Sequence, residues 1–361
     1  MRMERHVDAI DGLRGIAIAL VVAYHSWLVY GVGAGVVSES GFLGVELFFA
    51  LSGFCMFYPF ARSRFTGKAA PSWASYAHRR AVKILPSYLL ALTAFALLYA
   101  HRDGAAQTAY AYVAHLFFLH PLVPHAFRAI SGPLWTIGVE VQFYLIFPAL
   151  CGLFMRRPLH GALLVAGVSC AYRGFVLLTH AAPGFYVSNQ VFAFLDLFGA
   201  GMLAAYVVAW ARARAPVAAL APLATAGAVI AVVCAIAGMI AFTRSAAMND
   251  DAAFFLWQMH WRFAIAALLF VLVTAVTLAL PVVRRAIANP VTGFLAIISY
   301  NLYLWHLEIL SLAQQASLSL PVALACALGV AVLVTYAIER PLLTARATPA
   351  RSPAIRADGL T

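Results

Sequence analysis

The stretch IDGLRGIAIALVVAYHSWLVY (10–30) is long and apolar enough to cross a membrane as a helix. Two basic side chains, Arg14 and His25, lie within it. A cleaved signal peptide is the alternative interpretation, because Arg2 and Arg5 precede the apolar run. We reject it, since Arg14 and His25 interrupt the run and later apolar runs need a membrane in any case. The stretch predicts the first span of a polytopic membrane protein.

Nine further apolar runs of comparable length follow along the chain. Hydrophobic residues make up 64% of the 361 residues and charged residues 10%, whereas soluble domains carry roughly 25% charged residues. This composition excludes an ordinary soluble enzyme, because too few charges are present to cover its surface. We predict an all-α fold, a polytopic transmembrane bundle of about ten helices, at 10–30, 42–62, 84–100, 134–154, 159–179, 190–210, 217–242, 254–280, 291–312 and 320–340.

A shorter apolar run at 108–120 is too brief to cross the membrane, and it predicts an interfacial helix or a re-entrant segment. No long soluble insertion or convincing internal repeat separates the spans. We therefore expect one integral membrane domain over 1–344, followed by a disordered basic cytoplasmic tail over 345–361.

Basic residues fall mostly in every second connection between the predicted spans. One side receives 18 of the 24 Lys and Arg residues, and the other side receives Arg102, Arg128 and Arg244. Because basic connections stay in the cytoplasm, both termini are predicted to be cytoplasmic, in a multi-pass protein of the inner (plasma) membrane. The net charge of +11 then marks the cytoplasmic face, and we expect no nucleic-acid partner.

The five cysteines lie in or beside apolar runs. Cys151 and Cys170, the nearest pair, are 19 positions apart, which is not the spacing of a zinc or redox motif. We expect no metal site and no permanently bound cofactor.

Ionisable side chains inside spans are costly unless they are paired, so each one is a functional candidate. Arg14 and His25 are eleven residues apart, which places them on one helix face, roughly 16 Å apart along the axis. We predict Arg14 near the cytoplasmic mouth, beside a basic loop over 62–83, and His25 near mid-membrane.

The fourth span, GPLWTIGVEVQFYLIFP (132–148), places Trp135 and Glu140 in the outer half of the membrane. A carboxylate inside a span needs a reason, and either a catalytic role or a salt bridge to Arg173 or Arg262 would supply one.

The ninth span, ISYNLYLWHLEIL (298–310), places Ser299, Tyr303 and His306 on one face through their i, i+4, i+7 spacing. A histidine near a span end can also contact lipid headgroups, so a structural role for His306 stays open.

Two other groups of residues also admit structural interpretations. Trp135 and Trp305 are typical of an interfacial aromatic belt. His260 with Arg262 suits the same belt or an ion pair with Asp196.

Five motifs of this chain occur in the order found in one known family. They are DGLRGIAIALVVAYH (11–25), FFALSGF (48–54), HRRAVKILPSY (78–88), LWTIGVEVQFY (134–144) and SYNLYLWH (299–306). Together they resemble the integral membrane acyltransferase 3 family, whose members are O-acyltransferases of polysaccharides and lipids. Ser52 and Gly53, in the second motif, also suit close helix packing.

The resemblance implies ten spans, acyl-CoA as the cytoplasmic donor, and transfer to a hydroxyl of an extracytoplasmic glycan or lipid-linked sugar. It implies acetyl-CoA as the default co-substrate, with other acyl groups not excluded. His25 takes the position of the family's catalytic histidine, and Arg14 that of its partner. Arg79, Arg80 and Lys83 take the positions of a basic donor-binding cluster, where the family more often has arginine in place of Lys83.

The chemistry of these residues agrees with the resemblance. A sugar hydroxyl is a poor nucleophile near neutral pH, and an imidazole can serve as its base. Guanidinium groups bind phosphates such as those of coenzyme A. Our hypothesis is that His25 is the general base, with Glu140 or His306 orienting the acceptor or the imidazole.

Several alternatives stay open from sequence. Both direct action of His25 as a base and prior acylation of His25 are compatible with the sequence. Ser52, Trp135, Ser299 and Tyr303 belong to the motifs, and we expect them either to contact the acceptor or to have a structural role. The second functional class is a secondary transporter or a lipid-linked sugar flippase. Paired inverted repeats would favour this interpretation, and the sequence shows none. A homo-oligomer also stays open.

Overall fold

The computed structural model describes residues 8–248 and 250–344, and that part of the chain contains helices and no β-strand. The α-helices are α1 (Asp8–Tyr30), α2 (Val36–Glu39), α3 (Leu43–Thr66), α4 (Trp73–Asp103), α5 (Ala105–Leu116), α6 (Leu134–Arg156), α7 (Pro158–Thr179), α8 (Phe185–Ser188), α9 (Leu195–Arg214), α10 (Val217–Thr243), α11 (Asp251–Leu278), α12 (Pro281–Ile287), α13 (Pro290–Gln315), α14 (Leu320–Val334) and α15 (Arg340–Thr344). A π-helical turn, Thr335–Glu339, joins α14 to α15. The predicted tail at 345–361, with Arg2 and Arg5, lies outside the described residues.

Ten helical segments of the described chain are long and apolar enough to cross a membrane. This confirms the predicted all-α, polytopic fold, and most predicted boundaries agree with the helices to within a few residues. The third span is the exception, because its helix begins at Trp73 rather than at 84. The side that each terminus faces stays a prediction.

The early start of α4 corrects the prediction of a basic loop over 62–83. Ser72 caps this helix, since its side chain accepts a hydrogen bond from a backbone N–H of the first turn. Arg79, Arg80 and Lys83 therefore lie on the first turns of a helix. The helix holds the three cations at fixed spacing, whereas a loop would leave them mobile.

The short run predicted at 108–120 forms α5 and a 3-10 turn, His120–Leu122, and α5 packs against α4. His115 and His120 are fully buried, and their rings stack with centroids 4.0 Å apart. His120 Nε2 lies 3.2 Å from the backbone carbonyl of Leu134 and must donate to it, because a carbonyl only accepts. This contact ties the connection between α5 and α6 to the first residue of α6.

Glycines allow α3 and α9 to pack closely. A methyl group on Gly53 of α3 would collide with the Phe198 carbonyl of α9, and one on Gly201 of α9 would collide with the Ala50 carbonyl of α3. The predicted packing role of Gly53 is therefore confirmed.

Helices α1 and α13 lie side by side along their lengths. Gly15 permits the approach, because a methyl group there would collide with the backbone of Thr292. The pairing brings the two candidate residues of α1 against the polar face of α13, which the sequence predicts.

Candidate active site

Arg14 lines a cavity of about 390 Å³ between α1, α3, α4, α6 and α13, which we term the basic cavity. It has four cations and one carboxylate among the described residues of its lining, so it attracts anions. Its polar lining residues are Arg14, Ser52, Cys55, Arg79, Arg80, Lys83, Thr136, Glu140, Tyr144, Ser299, Tyr300 and Tyr303.

Arg14 and Arg80 make few contacts with the described residues within the basic cavity. Arg14 Nη2 donates to Ser299 Oγ at 3.3 Å, and Arg14 Nη1 lies 3.9 Å from an Asp11 carboxylate oxygen. The guanidinium of Arg80 lies 5.7 Å from the ring centroid of Tyr144. Because a guanidinium carries five N–H donors, the two contacts of Arg14 leave further donors of that side chain for a phosphate group.

Lys83 differs from the arginines, because it is already paired. Its ammonium forms an ion pair with Glu339 on the π-helical turn. The other carboxylate oxygen of Glu339 accepts a hydrogen bond from Asn301 Nδ2 at 2.9 Å. Sequence reasoning missed this partner, although a lone carboxylate at the end of the last apolar run was the available signal.

Glu140 lines the basic cavity together with Arg14, and its position in the outer half of the membrane stays a prediction. Its carboxylate accepts a hydrogen bond of 2.6 Å from Ser52 Oγ. The alternative salt bridge is wrong, because Arg173 pairs with Asp196 at 2.6 Å and Arg262 with Glu46 at 3.3 Å. The carboxylates that pair with these arginines lie on α9 and α3, whereas Glu140 lies on α6.

His25 lines a second cavity of about 150 Å³, which we term the histidine cavity. Its lining is aromatic with a few polar groups, and the main residues are Tyr24, His25, Phe42, Glu46, Arg128, Trp135, Phe185, Asn189, Phe194, Phe254, Phe255, Gln258, Arg262 and Tyr303. Arg14 and His25, both on α1, thus line two different cavities.

His306 directly contacts His25, as the shared face of α13 allows. His306 Nδ1 lies 3.0 Å from the Leu302 carbonyl and 2.9 Å from the Tyr303 carbonyl, so this nitrogen carries the proton. His306 Nε2 is then a lone-pair acceptor, and it lies 3.1 Å from His25 Nδ1.

The same argument fixes the tautomer of His25. Its Nδ1 lies 2.9 Å from the Val21 carbonyl and must donate to it, and the same N–H faces His306 Nε2. His25 Nε2 consequently carries a lone pair, and no described residue forms a hydrogen bond with it. His25 Nε2 is therefore an unprotonated nitrogen, and the two contacts of Nδ1 on the other side of the ring fix its orientation.

The two cavities share a thin wall. Tyr303 and Val45 line both of them. The Tyr303 hydroxyl lies 2.8 Å from Thr136 Oγ1, which lines the basic cavity. A ligand that passed this wall would move from the cationic space to the imidazole.

The remaining candidates have structural surroundings. Trp135 packs among aromatic rings, including Phe49 and Phe194, and also lines the histidine cavity, so it is not a simple belt residue. Trp305 packs on the ring of Phe95. His260 is exposed and contacts a backbone carbonyl of its own helix. The suggested pairing of its neighbour with Asp196 is wrong, as the ion pairs above show.

Comparisons with known proteins agree with this geometry. A family model described as an acyltransferase domain matches residues 7–340. The peptidoglycan O-acetyltransferase OatA of Listeria monocytogenes is 27% identical, over 42% of this chain and 25% of that protein. The O-acetyltransferase OatA of Staphylococcus aureus is 25% identical, over 51% of this chain and 31% of that protein.

The chain spans between a quarter and about half of the length of the curated relatives that it matches first. No solved structure matches it at a significant level.

Proposed function

Because this chain belongs to the acyltransferase 3 family and is a multi-pass membrane acyltransferase, we propose that it is an O-acetyltransferase. It takes the acetyl group of cytoplasmic acetyl-CoA and transfers it to a hydroxyl of a glycan or lipid-linked sugar on the opposite side of the inner (plasma) membrane. Both termini then lie in the cytoplasm.

One observation carries the proposal: a cationic cavity and an imidazole cavity meet at a single wall of two side chains, Tyr303 and Val45. A transferase that uses substrates from two sides of a membrane needs two separate entries and a shared point of reaction. A carrier needs one site that alternates between the sides.

The basic cavity suits the donor. Arg14, Arg79 and Arg80 supply guanidinium groups for the phosphates of coenzyme A. The narrow pantetheine arm extends from these cations along the cavity and brings the thioester to Tyr303. Lys83 contributes less to donor binding, because Glu339 already balances its charge.

The histidine cavity suits the reacting hydroxyl. His25 Nε2 accepts the proton of the hydroxyl as its oxygen attacks the thioester carbonyl carbon. The carbon–sulfur bond breaks, and the leaving thiolate takes the proton back from the imidazolium. His306 is a positioning residue, since its lone pair accepts the hydrogen bond from His25 Nδ1 and holds the ring in place.

Incubation of the purified protein, in membranes, with acetyl-labelled acetyl-CoA and an extract of surface glycans and lipids tests the proposal. We expect label in covalent linkage to a glycan or a lipid-linked sugar, released by mild alkali as an ester. Uptake of label or of sugar without covalent transfer would overturn the proposal in favour of a carrier. Mass analysis of the labelled product then identifies the acyl group and the acceptor.

A further inference from the structure

Arg128 is a cation of the histidine cavity whose charge no carboxylate balances among the described residues. The charged side chains in the lining are Glu46, Arg128 and Arg262. Arg262 is buried, and it pairs with Glu46 at 3.3 Å. Asp251, which begins α11, is exposed and does not line the cavity. The lining therefore carries one surplus positive charge, at Arg128.

The two amide side chains in the lining of this cavity, Asn189 and Gln258, are already engaged with Arg262. Its guanidinium donates to the Ser188 carbonyl at 2.6 Å and to the side-chain oxygens of Asn189 and Gln258 at 3.0 Å each. This network satisfies Arg262 internally. Arg128 is then the cation in the cavity that can bind an anion without breaking an existing pair.

The structure holds Arg128 in position. Its guanidinium carbon lies 4.4 Å from the ring centroid of Phe185, which also lines the cavity. Two residues later, Ile130 is buried with a φ of 70°, a conformation that β-branched residues avoid. Such a backbone persists only where packing enforces it. The side chain of Arg128 is exposed at the cavity, the ring contact orients it, and packing at Ile130 fixes the backbone that follows it.

The remaining walls are apolar and flat. Rings of Tyr24, Trp135, Phe254 and Phe255 line the cavity that His25 faces. Aromatic walls with a few directed polar groups are typical of sites for small organic ligands.

We propose that the acceptor is an acidic sugar derivative, whose carboxylate or phosphate group binds Arg128 while its reacting hydroxyl lies at His25. This inference rests on the proposed function and names the class of acceptor. The anionic group fixes the orientation of the sugar, so that one hydroxyl is selected for acylation.

Transfer assays with matched acceptors test the inference. The full-length protein is placed in phosphatidylcholine nanodiscs, so that no anionic lipid competes, and supplied with acetyl-CoA. The acceptors are methyl β-D-glucuronide, its neutral counterpart methyl β-D-glucoside, and glucose 6-phosphate. We expect a kcat/KM about tenfold higher for at least one acidic acceptor than for the glucoside. The acceptor that gains distinguishes carboxylate from phosphate recognition.

Variants link the preference to this arginine. Arg128→Gln should remove the preference, so that the ratio of kcat/KM for the acidic acceptor to that for the glucoside falls to about one, while Arg128→Lys should retain part of it. Arg244→Gln, a change at an exposed arginine that lines neither cavity, is the matched control. Equal use of acidic and neutral acceptors by the unaltered protein, or an equal loss with both in Arg128→Gln, would overturn the inference while leaving acyl transfer established.

Binding gives an answer that does not depend on turnover. Saturation-transfer NMR on the same nanodiscs should show stronger saturation of the glucuronide or the sugar phosphate than of the glucoside, and the difference should vanish in Arg128→Gln. Identical signals for the charged and neutral sugars would contradict the inference even if no acceptor were acylated.

Discussion

The two cavities that meet at Tyr303 are built on different principles. The basic cavity is the larger, about 390 Å³ against about 150 Å³, and charge defines it, with several arginines on the first turns of two helices. The histidine cavity is mainly aromatic, and contacts between distant segments define it. One space is suited to capture an anion, and the other is suited to orient a neutral hydroxyl against a base.

Donor binding and the chemical step are therefore assigned to different positions on one helix. Arg14 and His25 both lie on α1, yet each serves its own cavity. Changes in the basic cavity should therefore alter the use of the donor, and changes at His25 should alter the rate of transfer. The predictions that follow test this separation.

The largest effect is expected for His25→Gln. Loss of the base should lower kcat by about 10² to 10⁴ with little change in the KM for acetyl-CoA, because the donor binds in the other cavity. Steady-state acetyl transfer by the purified variant measures both constants. His260→Gln, a change at an exposed histidine, is the control. A kcat within twofold of the unaltered protein would exclude His25 as the base.

The next effect is expected for Arg14→Gln, which should raise the KM for acetyl-CoA by about tenfold and leave the KM for the acceptor unchanged. The double variant Lys83→Gln with Glu339→Gln removes a balanced pair and should change the donor KM by much less. Donor titrations of both variants, with exposed Arg157→Gln as the control, check the contrast. An equal rise in the two would show that Lys83 binds the donor as strongly as Arg14.

A smaller loss, about tenfold in kcat, is expected for His306→Ala. His25 Nδ1 would keep the Val21 carbonyl but lose the lone pair that holds the ring. His306→Gln should restore part of the rate, since its side-chain oxygen can accept the same hydrogen bond. Comparison of the two variants across pH decides the matter. No difference between Ala and Gln would assign His306 a packing role alone.

The smallest effect concerns the connection that carries Arg128. Burial lowers the pKa of His115 to about 4 and that of His120 to about 3, against 6.5 in the unfolded chain. Below pH 6.5 the unfolded histidines bind protons that the folded ones refuse. The free energy of unfolding should therefore decrease as the pH is lowered from 6.5 to the folded pKa. The decrease is up to about 1.4 kcal/mol per pH unit for each histidine.

Melting temperatures of the protein in detergent between pH 7 and pH 5 measure this loss. The double variant His115→Gln with His120→Gln should show a flatter profile, and His125→Gln, at an exposed histidine of the same connection, should not. Parallel profiles for all three proteins would remove the buried pair as the cause.

Hydropathy and motif order were sufficient to predict the ten spans and the family. The period of an α-helix also placed Ser299, Tyr303 and His306 on one buried face, since that face depends on a single helix. Features that depend on a single segment, such as a span or the buried face of one helix, could therefore be predicted from the sequence.

Contacts between segments were not readable in the same way. The pairs Lys83–Glu339 and Arg262–Glu46 join helices whose neighbours no periodicity specifies. The start of α4 was misplaced because a run of cations was interpreted as a solvated loop, whereas these cations line a cavity within the helical bundle. Charge in a membrane protein therefore marks polar space as well as the membrane surface.

The sidedness of transfer tests the central claim most directly. Proteoliposomes in which all protein molecules share one orientation are supplied with acetyl-CoA on one face and the acceptor on either face. The account predicts acetyl transfer when donor and acceptor are on opposite faces, with acetyl-CoA on the face that carries Arg79 and Arg80. Transfer that requires both substrates on the same face would contradict it.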